Sequence, residues 1–532
     1  MMILKVALLL SALALGGGGS GCVRAYNILG IFPQVYRSHS LIYNPIMLEL
    51  AKRGHNVTVY SMFQVNSQLP NLRQIDLQPC FPKKPLYDSI EGMRCPTAVQ
   101  LLELIYVELP SYWNVSACPP LVALLRHSPH FDALLTQPFN SDLFSAYAHR
   151  LRIPTSVFVF TSSLHTWLLQ RFGSPSNPSY IPERGSSFVQ PMTFWQRVEN
   201  VYRYAISEFY FRLRFDAESE RIYRALLAGD AGASAPSLRR IAAQTSLVLA
   251  NTHFSLDPVS PPLAPAIVEV AGVNLKNASQ LPPIIREFID ESKNGVVYFC
   301  MGSLLRGESF PKEKREAFLY AFSKIPQRVL WKWEGDELPG KSDNIMIAKW
   351  MPQRDILAHP NVKLFISHGG LLGTSEAVYE GVPILGIPIF GDQRTNIKAI
   401  EANGGGLLLD YNDITNQTVL EKIQMILTDQ EYQLKAKQLS KRYRDRPMSP
   451  LDTAVYWTEY VIRHKGAPHL RTAAVDTAWY QHLLLDMLAF VATLLVTFVL
   501  LIYCAFKVAF ALLTRLLWRR SVPAPATKQK RR

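Results

Sequence analysis

Short apolar runs alternate with helical stretches along most of the 532-residue chain. The runs are rich in Val, Ile and Phe, and segments of ten or more residues with helical character separate them, which is typical of parallel βα units. The predicted strands are NILGIF, NVTVYS, FDALLT and TSVFVF in the first half, and VVYFCM, RVLWKW, NIMIAKW, VKLFIS and VPILGIP in the second. The region 62–130 is less regular and receives no assignment.

A proline-rich segment separates the two halves. Residues 255–285 contain six prolines, which favours a linker. We therefore expect one domain over 26–254 and a second over 286–450. The simplest fold class that explains this pattern is α/β, with two doubly wound, Rossmann-like domains that face each other across a cleft. In such sheets ligands bind beyond the carboxyl ends of the strands.

The apolar N-terminus predicts a secretory signal peptide over residues 1–25. A lysine precedes an apolar run from Val6 to Leu15, and small residues follow it. Val23 and Ala25 fit the −3 and −1 positions of a cleavage site. The rest of the chain is therefore expected to enter the secretory pathway.

The C-terminal apolar run predicts one transmembrane helix. Met487–Phe506 holds 20 residues without a charge, which at about 1.5 Å per residue spans a hydrocarbon core of roughly 30 Å. We place the span at 483–506, after a helical return segment at 451–482, and a basic cytosolic tail at 507–532. The positive-inside rule gives a single-pass type I protein with a lumenal body. The ending Lys528-Gln-Lys-Arg-Arg resembles a dilysine address, which predicts the endoplasmic reticulum membrane.

The formal charge of +14 does not indicate nucleic-acid binding. Eight basic residues lie in 507–532 and two in the leader, which leaves +4 for the rest of the chain. The excess therefore belongs to a membrane-flanking tail.

Cysteines and sequons agree with an oxidising lumen. Glycosylation sequons occur at Asn56, Asn114, Asn277 and Asn416. Cys80, Cys95 and Cys118 are close enough in sequence for one disulfide, but the sequence does not decide the pairing. No CxxC or HExxH pattern indicates a metal site, so none is expected.

The segment from Trp350 to Gln393 is the most informative part of the chain. In it the predicted strand VKLFIS leads into the turn His368-Gly369-Gly370, and a helix opens just after the glycines. Backbone N–H groups at a helix N-terminus bind phosphate, and glycines let a diphosphate approach closely. The other candidates are Trp350 for stacking on a base, Glu376 for ribose hydroxyls, and Asp392-Gln393 for sugar hydroxyls.

This segment resembles the signature of the animal UDP-glycosyltransferases, which runs from WxPQ through HGG and a helix glutamate to DQ. The resemblance extends to Arg37-Ser38-His39, to Met301-Gly302-Ser303 and to SPLDTAVYWTEYVIRHKGAPHLR. Insect members look most similar. The resemblance implies a GT-B type fold and a UDP-sugar co-substrate, with no further cofactor and no metal.

The resemblance also implies roles for single residues. In these roles Trp350 and Gln353 hold uracil, His368 and Gly370 contact the diphosphate with Ser303 opposite, Glu376 binds ribose, and Asp392 with Gln393 binds the hexose. One position departs from the pattern. Many members have asparagine two residues after the HGG glycines, where this chain has Leu372, so a side-chain contact to phosphate is lost there.

His39 is the candidate catalytic base. A histidine with a pKa near 6.5 can take a proton at neutral pH. The matching histidine of the family deprotonates the acceptor hydroxyl, which displaces UDP from the anomeric carbon with inversion. Many vertebrate members provide an aspartate partner where this chain has Gln137. We expect Asp142, five residues on, to be the partner; the alternatives are that Asp142 caps a helix, and that Gln137 orients His39 instead.

The predicted function is transfer of a hexose, glucose rather than glucuronate, to a hydroxyl of a small lipophilic acceptor, a reaction of detoxification. Glucose is expected because the residues offer no dedicated cation for a carboxylate. The aromatic residues of 187–211 suit a flat phenol, flavonoid or steroid. The alternative is a UDP-sugar-binding membrane protein with a regulatory role. A nicotinamide oxidoreductase is disfavoured because no GxGxxG motif follows the first strand. A homo- or hetero-oligomer stays open.

Overall fold

The computed structural model describes residues 25–81, 90–94, 98–106, 112, 114, 117–183, 186, 188–227, 232, 234–256, 260–303 and 305–521. The chain forms two compact units, 1–472 and 473–532. Nearly all of the predicted signal peptide, Cys95 and the dilysine-like ending lie outside the described residues.

The first unit contains a seven-stranded parallel sheet. Its strands are β1 (Asn27–Phe32), β2 (Asn56–Ser61), β3 (Leu72–Asp76), β4 (Ala133–Thr136), β5 (Thr155–Phe160), β6 (Leu247–Ala250) and β7 (Ile267–Glu269), in the order β3-β2-β1-β4-β5-β6-β7. The four strands predicted in the first half are all present. β7 lies inside 255–285, where the prolines predicted a linker, so the sheet continues into that segment.

A second parallel sheet of six strands follows in the same unit. Its strands are β8 (Val296–Cys300), β9 (Arg328–Lys332), β10 (Ile345–Ala348), β11 (Val362–Ser367), β12 (Ile384–Gly386) and β13 (Gly406–Leu408), in the order β10-β9-β8-β11-β12-β13. All five strands predicted in the second half are present. The two sheets confirm the α/β class with two Rossmann-like domains.

Helices connect the strands, as parallel pairing requires. In chain order they are α1 (Arg37–Lys52), α2 (Ile90–Met93), α3 (Ala98–Tyr106), α4 (Pro119–His127), α5 (Ala146–Arg150), α6 (Thr166–Arg171), α7 (Phe194–Tyr210), α8 (Ala217–Ile222), α9 (Leu238–Ala242), α10 (Pro283–Asp290), α11 (Lys312–Ser323), α12 (Gln353–Leu357), α13 (Leu371–Glu380), α14 (Gln393–Ala402), α15 (Asn416–Thr428), α16 (Gln430–Arg444), α17 (Pro450–Arg463), α18 (Trp479–His482) and α19 (Leu485–Ser521). π-Helical segments lie at Phe211–Asp216 and Tyr223–Leu227.

The chain returns to the first domain after the second sheet is complete. Helix α17 buries Val455 and Val461 in the same core as Ile28 of β1. Its Glu459 lies 3.2 Å from Nε2 of the fully buried His55. Helix α17 therefore packs against the first domain although it follows the second sheet in the chain; the bounds 451–482 of the predicted return segment stay a prediction.

A disulfide joins Cys80 to Cys118, with 5.7 Å between the Cα atoms. It closes a loop of 38 residues in the part of the chain that gave no periodic pattern. The sequence had left this pairing open. Cys300 is buried and carries a free thiol.

Helix α19 lies in the second unit and is apolar from Leu485 to Trp518, with a mean hydropathy of 2.6 over its most apolar stretch. It is the one helix of the described residues that is long and apolar enough to cross a membrane. The helix runs to Ser521, so it continues past residue 507, where the sequence predicted the cytosolic tail to start.

Candidate active site

The strand order of each sheet reverses at one point, and the predicted site residues gather at these points. In the first sheet the reversal lies between β1 and β4, with Ile31 opposite Thr136. In the second it lies between β8 and β11, with Cys300 opposite Ser367. Loops that leave neighbouring strands on opposite faces open a crevice there, which is where doubly wound sheets bind ligands.

His39 and Gln137 meet at the first of these crevices. His39 lies in the first turn of α1, and Gln137 follows β4 directly. Nε2 of Gln137 lies 2.8 Å from Nδ1 of His39 and 2.7 Å from Oγ1 of Thr161. Burial lowers the pKa of His39 from 6.5 to about 3, because an apolar environment disfavours the imidazolium. The ring is therefore neutral at physiological pH.

Asp142 does not pair with His39, and the expected dyad contact is wrong. Its buried carboxylate forms an ion pair with Nη1 of Arg171, whose Nη2 lies 3.7 Å from Oδ1 of Asp216. The side chain makes no capping hydrogen bond to the short helical turn that follows it. A buried guanidinium needs a counter-charge, and Arg171, 29 residues further along the chain, supplies a stronger partner than a neutral imidazole.

His368 occupies the second crevice, between two glycine turns. It follows β11, and its ring packs against Gly302, which follows β8, and against Gly370. A Cβ on Gly302 would lie 2.6 Å from Cε1 of His368, and a Cβ on Gly370 would overlap Nε2. Burial and the nearby Lys332 lower the pKa of His368 to about 4. The ring is therefore neutral and can donate or accept a hydrogen bond here.

The N-terminus of α13 completes this edge. Gly370 is its N-cap residue, and Gly369 has a φ of +82°, a conformation that favours glycine. Asn396 of α14 donates a hydrogen bond of 3.0 Å to the carbonyl oxygen of Gly369 and holds the turn. The first N–H groups of an α-helix have no partner within the helix. Together with the dipole of the helix, such N–H groups favour the binding of a phosphate group at a helix N-terminus.

Leu372 stands in the first turn of α13 and packs against the core of the first domain. The residue that replaces the expected asparagine therefore contacts the other domain. A second contact joins the domains nearby, where Oγ1 of Thr395 lies 3.4 Å from the carbonyl oxygen of Ser186. The two carboxyl edges thus lie against one another.

Gln353 and Glu376 form a pair. Nε2 of Gln353, at the start of α12, donates to Oε2 of Glu376 over 2.7 Å. Burial raises the pKa of Glu376, while Gln353 and Arg354 act in the opposite direction. One carboxylate oxygen stays available for a pair of hydroxyl groups.

Trp350 follows β10 and is 68% exposed. It borders an open, apolar cavity of about 490 Å³ together with Ile347 and Pro352. The lining of this cavity does not include Gln353 or His368, so it is a neighbouring hollow and not the crevice itself. An exposed indole at a strand end can accept a planar ring.

Gln393 has a structural task that the sequence did not show. Its Oε1 accepts hydrogen bonds from the N–H groups of Ile389 and Phe390, over 2.8 and 3.1 Å. These bonds fix the loop between β12 and α14, which carries Asp392. Only the amide nitrogen of Gln393 remains for a ligand. Ser303 is exposed beside the Gly302 turn.

Comparison with known proteins decides the family. Residues 119–517 match the family model described as UDP-glucoronosyl and UDP-glucosyl transferase. The chain belongs to the UDP-glycosyltransferase family. It is an enzyme that transfers a sugar from a UDP-sugar, as the signature predicted.

Relatives of this UDP-glycosyltransferase span almost its full length. It is 52% identical over 514 residues to UDP-glycosyltransferase UGT5 of Dactylopius coccus, which covers 95% of this chain and 96% of that one. It is 39% identical to UDP-glucosyltransferase 2 of the same insect, over 90% of both chains. It is 32% identical to human UDP-glucuronosyltransferase 2A2, over 87% of this chain and 89% of that one.

Solved structures show the same fold. The UDP-glucose: anthocyanidin 3-O-glucosyltransferase in complex with UDP superposes with a TM-score of 0.55 at 15% identity, over 82% of this chain and 99% of that one. The glycotransferase of kitacinnamycin gives a TM-score of 0.52 at 16% identity, over 83% and 99%. This transferase therefore has the GT-B fold.

Sequence reasoning missed several residues of this glycosyltransferase. Lys332 ends β9, lies near His368 and pairs with Glu334 at 2.5 Å. Thr161 follows β5 and shares the amide of Gln137. The position of each residue at the carboxyl end of a strand, Lys332 as the last residue of β9 and Thr161 just after β5, was the available signal. The described residues contain no group of three or more possible metal ligands.

The aromatic residues of 187–211, for which an acceptor surface was predicted, point in different directions: Phe211 is buried and stacks on Trp167 over 4.3 Å. Most of this stretch is helix α7, on which Trp195, Tyr202 and Phe209 face solvent and Tyr204 contacts Gln170 and Ser176. Recognition of a flat acceptor by this stretch stays a prediction.

Replacing Gly370 with alanine tests the phosphate site of the transferase. Gly370 has a φ of −59°, which alanine adopts freely, so the effect of Gly370→Ala is the collision of its Cβ with His368. We expect the dissociation constant of UDP, measured by calorimetry, to rise at least about tenfold, or about 1.4 kcal/mol. Gly405→Ala is the control, since its Cβ would meet neighbours at an ordinary 3.5 Å. Equal UDP affinity in both variants would contradict the assignment.

Proposed function

We propose that this enzyme transfers glucose from UDP-glucose to a hydroxyl group of a small lipophilic acceptor, with inversion and with His39 as the general base. The observation that carries the proposal is the contact between His39 and Gln137 at one crevice, in a molecule whose other crevice ends in the glycine turn and helix N-terminus of α13. A base and a phosphate site at facing edges are what a displacement at the anomeric carbon requires.

The proposed reaction moves one proton and breaks one bond. The acceptor hydroxyl gives its proton to Nε2 of His39, and its oxygen forms a bond to the anomeric carbon. The bond from that carbon to the phosphate oxygen breaks, and UDP leaves with the electron pair. The N–H groups at the start of α13 stabilise the added negative charge. We propose that no metal and no cofactor besides the UDP-sugar is needed, because these N–H groups supply that stabilisation.

Gln137 positions the base in this scheme. Nε2 of His39 can accept a proton only if Nδ1 carries one, and Nδ1 then needs an acceptor. The amide of Gln137 can meet Nδ1 with its nitrogen or, after a rotation of 180°, with its oxygen. In the second arrangement Thr161 can donate to the same oxygen. Gln137 then fixes the tautomer without adding a charge, whereas a carboxylate would also stabilise the imidazolium.

The other predicted residues are assigned to the donor. Trp350 and Gln353 would hold the uracil, Glu376 the ribose, His368, Gly370 and Ser303 the diphosphate, and Asp392 with Gln393 the hexose. The contact between Gln353 and Glu376 supports adjacent sites for base and ribose. Glucose is favoured over glucuronate because one relative over 90% of the chain is named a glucosyltransferase.

Donor and acceptor preference can be measured directly. Full-length protein is given UDP-glucose or UDP-glucuronate with a panel of phenols, flavonoids and steroids, in the presence of EDTA, and released UDP is quantified. We expect a higher kcat/KM with UDP-glucose, because Lys332, the cation that lies near His368, is already paired with Glu334.

The variant His39→Ala distinguishes a role in catalysis from a role in binding. This variant should lose about 10²–10⁴ in turnover, the usual contribution of a general base, and should keep its UDP affinity. UDP binding without turnover by the wild type would instead favour the regulatory UDP-sugar-binding protein. Higher kcat/KM with UDP-glucuronate would refute the choice of donor.

The acid limb of the pH profile reports on His39. The base works when neutral, so activity falls as the pH drops through its pKa, which burial lowers to about 3. We expect kcat/KM to stay level down to about pH 5, below the ordinary histidine value of 6.5. Gln137→Glu places a carboxylate beside Nδ1 and should move the limb upward by about one unit or more.

Gln137→Met is the uncharged control for that shift. This variant should lower turnover because the tautomer of His39 is no longer fixed, but the acid limb of the kcat/KM profile should stay at low pH. A limb near 6.5 in all three proteins would argue against a buried base held by Gln137.

We further propose that the body lies in the lumen of the endoplasmic reticulum, held by α19. Support comes from the apolar helix, from the predicted signal peptide and from the sequons. Protease added to sealed microsomes should shorten the protein by no more than its C-terminal tail, because the membrane shields the body. Digestion of the body in intact vesicles would refute this topology.

A further inference from the structure

The connection between β3 and β4 reaches from the first domain into the second. Its short helix α2 carries Ile90, which is completely buried in the core of the second domain, in one cluster with Phe310 and Tyr411. An apolar side chain of one domain thus completes the core of the other. The two domains are held together here, at a point separate from the contacts of Leu372 and Ser186.

Arg94 follows α2 and contacts a turn of the second domain. Its Nη2 donates to Oδ1 of Asn412 over 2.5 Å, and its guanidinium lies 4.8 Å from the centre of the Tyr411 ring. Lys314 of α11 lies 4.4 Å from the centre of the same ring and donates to the carbonyl oxygen of Tyr411 over 2.6 Å. The 3₁₀ turn Tyr411–Asp413 is therefore held by a cation from each domain.

Asp410 links this turn to the start of α14. Its Oδ1 accepts from the N–H group of Asn412 over 3.1 Å, and its Oδ2 forms an ion pair with Arg394. Burial acts to raise the pKa of Asp410, but the hydrogen bonds from Asn412 and Arg394 and the charges of Arg394 and Arg94 outweigh it and lower the pKa. The carboxylate is therefore ionised at neutral pH. We call Arg94, Asp410 and Arg394 the ionic chain, since one anion here lies between cations of the two domains.

The ionic chain ends beside the candidate hexose residues. Arg394 directly follows Asp392 and Gln393 at the start of α14. The next residue, Thr395, donates through Oγ1 to the carbonyl oxygen of Ser186 in the first domain over 3.4 Å. Two neighbouring residues of α14 thus depend on the first domain, Arg394 through the ionic chain and Thr395 directly. The loop that carries Asp392 has all of these contacts only while the two domains are together.

We propose that Arg94 is a positioning residue for the donor sugar, which holds the loop of Asp392 and Gln393 across the cleft in the conformation that binds the hexose. The inference rests on the proposed function, which assigns the hexose to this loop. UDP is assigned to other residues, at the starts of α12 and α13 and in the turn of His368. Loss of Arg94 should therefore weaken binding of the hexose part of the donor and leave binding of UDP unchanged.

Calorimetric titration of the full-length protein with UDP, UDP-glucose and UDP-glucuronate tests this role. The readout is the dissociation constant of the UDP-sugar divided by that of UDP, for the UDP-sugar that the wild type binds more tightly. In Arg94→Met we expect this ratio to rise at least about fivefold, because a loop that is no longer fixed has to be ordered on binding. Asp410→Asn should raise it similarly, and the double variant should add little, since both residues belong to one chain of contacts.

Arg328→Met is the matched control. The guanidinium of Arg328 also lies over an aromatic ring, 4.9 Å from the centre of Phe288, and donates to the carbonyl oxygen of that residue over 3.0 Å. Both residues belong to the second domain, and Arg328 begins β9 at the amino end of the sheet. The ratio should stay at the wild-type value. Melting temperatures of all variants report separately on the stability of the fold.

Two results would overturn the role of Arg94. One is a wild-type ratio in Arg94→Met, and the other is weaker binding of UDP and UDP-sugar by the same factor, which would make Arg94 a contact that only stabilises the closed pair of domains. Asp392→Ala tests the hexose site itself. An unchanged ratio in that variant would refute the proposed site and this inference together, whereas a raised ratio there beside an unchanged one in Arg94→Met would refute the inference alone. Because binding is measured, absence of sugar transfer does not affect the result.

Discussion

The packing of the His368 ring between two turns governs the carboxyl edge of the second domain. The turn after β8 and the turn after β11 both approach the ring so closely that glycine is the only residue that fits at 302 and at 370. The start of α13 is thereby fixed beside the strand ends. Asn396 then links α14 to the same turn through the carbonyl oxygen of Gly369. The imidazole thus fixes the start of α13, and Asn396 joins α14 to the same turn.

The carboxyl edge of the first sheet contains buried polar side chains. Gln34, Gln137 and Asn251 are almost fully buried after β1, β4 and β6, and within the described part of the chain the side-chain oxygen of each has no hydrogen-bond partner. Such groups cost free energy in an ordinary core. Their accumulation at one edge of a sheet is typical of a surface that is completed by a ligand. The same unpaired groups therefore lower the stability of the free protein and leave hydrogen-bonding capacity for a ligand at this edge.

The parts of the fold that depend on local pattern were predictable, and the parts that depend on distant partners were not. Strands such as VKLFIS are long and apolar, so their existence followed from the sequence. Four strands were missed. β3, LRQID, is a polar edge strand, β7 and β13 have only three residues each and so carry no periodicity, and β6, LVLA, is a short apolar run that the pattern had not separated from its surroundings. The turn at His368 was predictable because its chemistry lies within consecutive residues. The partner of His39 was misassigned because Arg171, far along the chain, neutralises Asp142.

Helix α17 returns to the first domain, and this return decides to which of the two domains the apolar helix α19 is attached. Residues 473–484 follow a segment that is packed into the core around β1, so a pull on α19 acts first on the domain of the first sheet. The domain of the second sheet is joined to it by the connection after β7, by the connection before α17 and by contacts such as that of Leu372. If the two domains move apart, the domain of the second sheet is the one without a direct covalent link to the anchor. Under the proposed function, a poorly soluble acceptor would then bind to the anchored domain and the water-soluble nucleotide to the other one.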